Sequence, residues 1–202
     1  MANGKVCTGF SMPWVALYAA SSGTVSYSSG TALARGVDVS LSIEGASDNN
    51  FYADNVLAET DTQAFSSGTL SLTVDGLKQT ARKLITGVTS STSVTVSSGV
   101  TVAFEVYDDN TVAPYCGVGF VVRYMEDGVT SYTPVIIRKV KFSDPELSAA
   151  TQEENIDFQT QSLEAEIMRD DTSSHQWRWI GADQTTEEAA YNAIKAVLTA
   201  GA

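Results

Sequence analysis

Apolar and polar positions alternate most densely between residues 115 and 142. Cys116, Val118, Phe120, Val122 and Tyr124 take every second place, so an extended strand puts them all on one face. Glu126-Asp127-Gly128 follows, and an Asp-Gly pair suits a tight hairpin turn because it tolerates positive φ. The return arm carries Val135, Ile136, Ile137, Val140 and Phe142, with Arg138, Lys139 and Lys141 between them. Such a hairpin needs a second layer over its apolar face, and it reads as the central hairpin of a β-sandwich.

Similar patterning extends to either side. Residues 1–30 read as an N-terminal arm and first strand region, with Trp14, Val15 and Leu17 behind Pro13 and a Ser/Gly-rich break over 21–30. Leu33, Val37, Val39, Leu41 and Ile43 predict a strand whose inner face is interrupted only by Arg35. The pattern dissolves over 44–68, which reads as a long inter-strand loop, and resumes at Leu70, Leu72 and Val74. Asp75 is placed to cap a short helix bearing Leu77, Ala81, Leu84 and Ile85, stopped by Gly87. The Ser/Thr/Val tract over 88–99 predicts a hairpin rather than a linker, because valine and threonine favour strands. Val100, Val102, Phe104 and Val106 predict another strand.

Towards the C-terminus, Ile156, Phe158 and Thr160 share one parity and Leu163, Ala165 and Ile167 the other, which predicts a β-bulge at Gln161 and Ser162. Residues 175–179 read as a last strand with Trp177 and Trp179 on one side. Thr185 and Glu188 match a capping box opening a helix over 184–200, whose apolar face is Ala190, Tyr191, Ile194, Val197 and Leu198. Strands and helices do not alternate regularly. The expectation is one mainly β (α+β) domain, an antiparallel β-sandwich or barrel with one short internal helix and a C-terminal helix.

Twelve Lys and Arg against 24 Asp and Glu give a formal net charge of -12. That balance opposes binding to nucleic-acid phosphates, which needs a basic footprint, and disfavours anionic membranes. No apolar run approaches the ~18 residues of a membrane span. The opening MANGKVCTGF lacks the layout of a secretory signal, and Cys7 and Cys116 lack metal-ligand spacing, so reduced thiols in a cytoplasm are expected. His175 is the one histidine, and no Gly-x-Ser-x-Gly elbow accompanies it. Glu164 and Glu166 share a strand face, as paired glycosidase carboxylates can, and as solvent faces commonly do. Asp48, Asp54 and Asp61 lack the spacing of an EF-hand, and no Walker loop, zinc set or dinucleotide fingerprint occurs. No catalytic residue, metal or cofactor is expected.

KVCTGFSMPWVALY, LARGVDVSLS, FYADNVLAE and TLSLTVDGL occur in this order. GVGFVVRYMEDGVTSYTPVIIRKVKF, NIDFQTQSLEAEI and an alanine-rich C-terminal helix follow. In order and spacing these blocks resemble the major tail (tail tube) proteins of long, non-contractile-tailed bacteriophages. The resemblance implies a sandwich flanked by a helix, assembled as stacked hexameric rings into the tube of a virion tail. It further implies assembly in the host bacterial cytoplasm, with tape measure and tail terminator or tail tip proteins as partners. DNA would pass through without specific binding during ejection, and neither a cofactor nor a membrane is implied.

In that setting, Phe51, Tyr52, Val56 and Leu57 are subunit-interface candidates, being sizeable apolar residues inside the polar 44–68 segment. Glu164 and Glu166 are the acidic candidates for a lumen or solvent face. The alternative is a carbohydrate-binding or adhesive β-sandwich module on a virion or cell surface, with a groove lined by Trp14, Trp177 or Trp179.

Overall fold

A computed structural model describes residues 4–45, 49–61, 65–147, 149, 151 and 159–199. The elements run β1 (Val6–Ser21), β2 (Thr24–Ala32), β3 (Gly36–Glu44), β4 (Asn49–Ala53), β5 (Val56–Asp61), β6 (Ser67–Val74) and α1 (Gln79–Thr86). They continue with β7 (Ser91–Thr95), β8 (Thr101–Glu105), β9 (Tyr115–Glu126), β10 (Val129–Phe142), β11 (Gln161–Met168), β12 (Arg178–Ile180) and α2 (Glu187–Thr199). The protein is mainly β, with antiparallel pairing in the order β2-β1-β9-β10-β11-β6-β3 and β12 added to β10.

The expected central hairpin is the spine of this sheet. Asp127 and Gly128 turn at φ 47° and 80°, and β9 and β10 then pair along their length with one register shift between Ile137 and Val140. The free side of β10 serves two partners, β12 along Val135, Ile136 and Ile137, then β11 from Lys139 to Phe142. The sheet bends until β1 meets β3, where the Phe10 ring lies against Gly36 so closely that a Cβ there would be 2.1 Å from a ring carbon.

Strand parity decides what the bend encloses. Cys116, Val118 and Phe120 of β9 meet Val140 and Phe142 of β10, Leu163, Ala165 and Ile167 of β11, and Leu70, Leu72 and Val74 of β6. Ala81 and Ile85 of α1 join this core. Burial pushes the Cys116 thiol up to about 12. The opposite parity of the spine is buried as well: Val121 and Ile136, with Ala16 of β1 and Val25 and Tyr27 of β2, pack under Ala190, Ile194 and Leu198 of α2. Gly117 and Gly119 make room for that helix, since a Cβ on Gly119 would stand 2.3 Å from Ile194. The helix therefore packs where its periodicity placed it, with Tyr191 set edge-on to Trp14.

Several local expectations need correction. Residues 21–30 are no break: Ser22 and Gly23 turn at φ 50° and 77°, and β2 follows as an edge strand. The first strand region expected within 1–30 starts at Val6 and is a long strand lying between β2 and β9, bulged near Cys7–Gly9 and Ser11–Trp14. The strand expected from Leu33 begins at Gly36, and a register shift between Gly36 and Asp38 leaves Val37 exposed.

The 44–68 segment contains the β4–β5 hairpin, turned by Asp54 and Asn55 at φ 51° and 63°. Asp75 does not cap α1. It accepts from the Arg35 backbone N–H at 2.9 Å and pairs with the Arg35 guanidinium, while Lys78 precedes α1 without a side-chain cap. Gly87 does close α1, at φ 75°. The α2 cap is one residue later than expected, Thr186 Oγ1 accepting from the Ala189 N–H. Gln161 and Ser162 pair regularly with Val74 and Thr73, so no bulge sits there, and Ile156 and Phe158 lie outside the described residues.

Candidate functional surfaces

Three arrangements are candidates for function, and each is a surface rather than a cleft. The first is the outer face of β11, β6 and β3. Where Leu163, Ala165 and Ile167 point inward, Ser162, Glu164 and Glu166 point outward. Thr69, Ser71 and Thr73 stand beside them on β6, with Ser40 and Ser42 beyond on β3. This face combines hydroxyls with the two carboxylates singled out from the sequence, and both glutamates are exposed. Lys141, the register partner of Glu166 on β10, is its nearest cation by pairing.

The second arrangement is a pair of two-stranded ribbons, β4–β5 and β7–β8, which belong to neither the main sheet nor each other. In β4–β5, Tyr52 pairs with Leu57, and Ala53 pairs with Val56. Tyr52, Val56 and Leu57 are 62%, 64% and 52% exposed, so these interface candidates do not fold back on the sheet. The Phe51 side chain lies outside the described residues, although its backbone pairs with Glu59.

The β7–β8 ribbon carries a stripe shared between the hairpin expected over 88–99 and the strand expected from Val100. Val94 pairs with Val102 and Thr92 with Phe104, and the Val96 N–H donates to Val100. Strand parity therefore puts Val94, Val96, Val100, Val102 and Phe104 on one face, and all five are exposed. The third arrangement is the pair of edge strands, β2 and β3, that end the main sheet.

The remaining chemical candidates are placed apart. His175 is exposed at φ 49°, and its Nδ1 lies 3.3 Å from the Asp170 carbonyl. Trp177 and Trp179 do not share a side. Trp177 stacks on Phe65 beside the inner core, whereas Trp179 lies under the Arg138 guanidinium and packs beside the α2 core. Trp14 packs on Tyr191, so the three tryptophans do not line one groove.

The apparent basic cluster of β10 also separates. Arg138 is buried and paired with buried Asp170 at 2.7 Å, and only Lys139 and Lys141 remain nearer the surface. Lys139 is bound to Asp171, and together with the Tyr18 hydroxyl it holds that carboxyl below the usual range. The Lys5 ammonium does the same to Asp183, aided by the Thr133 hydroxyl. Among the described residues no group of His, Cys, Asp and Glu could hold a metal ion, and no helix is long and apolar enough to cross a membrane. Compared with known proteins, the chain matches no family model and no curated protein.

Proposed function

We propose that this chain is a structural subunit that polymerises with itself, as stacked hexameric rings, into a tube of the phage tail kind through which DNA passes. The observation that carries the reading is the pair of ribbons whose described apolar side chains the subunit leaves uncovered, set beside two cores that, among the described residues, draw on neither ribbon. Isolated two-stranded hairpins are marginal in water, and exposed apolar ribbon faces mark contact sites. Edge strands β2 and β3 offer further backbone groups to neighbouring copies.

The hydroxyl-and-carboxylate face of β11, β6 and β3 is the surface best suited to a lumen, with Glu164 and Glu166 upon it. DNA carries about one negative charge per ~1.7 Å of axis, so a wall without exposed cationic rows would not retain it. The role is mechanical rather than catalytic, in a virion tail assembled in a bacterial cytoplasm, beside a tape measure protein and tail terminator or tip proteins. The carbohydrate-binding alternative has the narrower support, because its three tryptophans do not converge: Trp14 packs on Tyr191, and Trp177 and Trp179 lie beside different pockets.

Negative-stain electron microscopy of the purified chain tests the proposal. Rings or hollow filaments are expected from the wild type. Phe51→Ser/Tyr52→Ser and Val102→Ser/Phe104→Ser variants are expected to stay folded by circular dichroism while losing tubes. A wild-type protein that remains monomeric at all concentrations would refute the reading.

A further inference from the structure

The aromatic stack beside β12 opens onto a groove of about 510 Å³ whose lining includes Phe65, Arg169, His175, Trp177 and Arg178. The Phe65 and Trp177 rings lie 4.7 Å apart and within 11° of parallel. The Arg178 guanidinium lies 4.5 Å from the Trp177 ring centre, and that of Arg169 lies 5.9 Å from the Phe65 ring centre. Stacking uses the flat face of a guanidinium and leaves its N–H edge free to bind a carboxylate.

What sets this groove apart is that it brings two guanidiniums together over stacked aromatic rings. Lys5, Arg35, Lys83, Arg138 and Lys139 are matched to Asp183, Asp75, Glu105, Asp170 and Asp171 respectively. Arg169 donates to the Phe65 carbonyl, but among the described residues neither it nor Arg178 has a carboxylate partner. Two exposed guanidiniums thus lie over aromatic rings with no carboxylate partner among the described residues, in a chain with twice as many acids as bases. A fork already held in place loses less freedom on binding, and its bidentate bond to a carboxylate is among the stronger hydrogen bonds.

We infer that this groove receives carboxylates from a second copy of this chain. The inference rests on the self-assembly reading and adds a charge-complementary contact to its apolar ones. Surface carboxylates are plentiful on the donor side, including exposed Asp109 and the Glu126 at the tip of the β9–β10 hairpin. A nucleic acid is the poorer occupant, since it must bring many phosphates against a surface of net charge -12.

The test compares two double variants of equal net charge at one ionic strength. Arg169→Glu/Arg178→Glu reverses the groove, while Lys78→Glu/Arg82→Glu makes the same change beside and within α1. Sedimentation velocity measures the concentration at which assembly begins. The groove variant is expected to raise it at least about tenfold with an unchanged melting temperature, and the α1 variant to behave as wild type. If charge reversal prevents folding, Arg169→Gln/Arg178→Gln removes the charges and is expected to weaken assembly in the same direction. Equal assembly of the groove and α1 variants overturns the groove contact while leaving self-assembly intact. A wild type that never assembles overturns both readings. Wild-type binding to a labelled DNA duplex that the groove variant abolishes would assign the groove to phosphate and overturn the inference.

Discussion

Gly119 lies where β9 passes beneath α2, and replacing it with alanine tests the packing of that helix most directly. The added methyl would stand 2.3 Å from Ile194 Cγ2 and 3.1 Å from Leu198 Cδ1. Relaxed carbon contacts lie at about 3.5–4.0 Å, so the helix must retreat by roughly 1.2 Å or Ile194 must leave its rotamer. Ile194 and Leu198 are fully buried, which leaves little empty space to absorb the shift. Overpacking of this kind costs about 1–3 kcal/mol, and replacing glycine returns ~0.4–1 kcal/mol through the unfolded chain. The expected net loss is therefore about 1–2 kcal/mol, a fall of roughly 2–8 °C in melting temperature for a chain of this size. Ile194→Ala alone should cost about 2–5 kcal/mol by opening a cavity. In the double variant the new methyl at 119 enters that cavity, so the two losses should fall short of additivity by ~1 kcal/mol or more. Urea melts of wild type, both single variants and the double variant measure this coupling. Additivity within about 0.3 kcal/mol would show that the helix does not rest on Gly119.

The other expected outcomes concern charge, thiols and the helix. Arg138→Met strands Asp170, whose side chain is 0% exposed, and should cost about 3–5 kcal/mol in urea melts; adding Asp170→Asn should recover part of it. Asp183 and Asp171 have folded-state pKa values held below their unfolded ones, so their contribution is present above the unfolded pKa of ~3.9 and is lost as pH falls through the lower folded value. Melting temperatures recorded from pH 6 down to about pH 2 should fall less steeply for Asp171→Asn/Asp183→Asn than for wild type. Thiol titration with a chromogenic disulfide should find exposed Cys7 in the native protein and buried Cys116 only after denaturation, and rapid labelling of both in native buffer would contradict the core assignment. Truncation before Thr185 uncovers Val121, Ile136 and Val25, so it should lower the melting temperature and the solubility rather than merely weaken assembly.

What was legible in the sequence was whatever strand parity records locally. The β9–β10 hairpin, its Asp-Gly turn, the short helix ended by Gly87 and the apolar face of α2 were all readable, because each is written within one or two turns of chain. Arg138 is adjacent to Lys139 in sequence yet is buried, and nothing local signals this because its partner Asp170 lies 32 residues further on. Gly117 and Gly119 looked like ordinary strand positions, and only the docked helix shows why a side chain there would collide. The β-hairpin within 44–68 was missed although Asp54-Asn55 is a turn pair tolerant of positive φ, since its flanks lack clean alternation. The candidate surfaces were half legible. Tyr52, Val56 and Leu57 stood out against polar neighbours, whereas Val100, Val102 and Phe104 resembled a core strand. Alternation states which face is apolar, not what covers it.

That distinction separates two classes of residue in this protein. Among the described residues, the inner and α2 cores draw on β1, β2, β3, β6, β9, β10, β11, β12 and both helices, and on no side chain of β4, β5, β7 or β8. Changes in the first group act on folding, because their side chains have no other place to be buried. Changes in the ribbons should leave the fold standing, since its closure does not depend on them. Ordering a residue costs about 1–2 kcal/mol in backbone entropy, and a lone ribbon recovers little of that without burial. Exposed apolar ribbons also invite edge-to-edge aggregation. A chain that carries two of them, Phe104 and Tyr52 included, gains from their presence only when a specific surface covers them. Under the proposed self-assembly, ribbon order and self-association are one equilibrium, and the ribbons are expected to order as copies assemble.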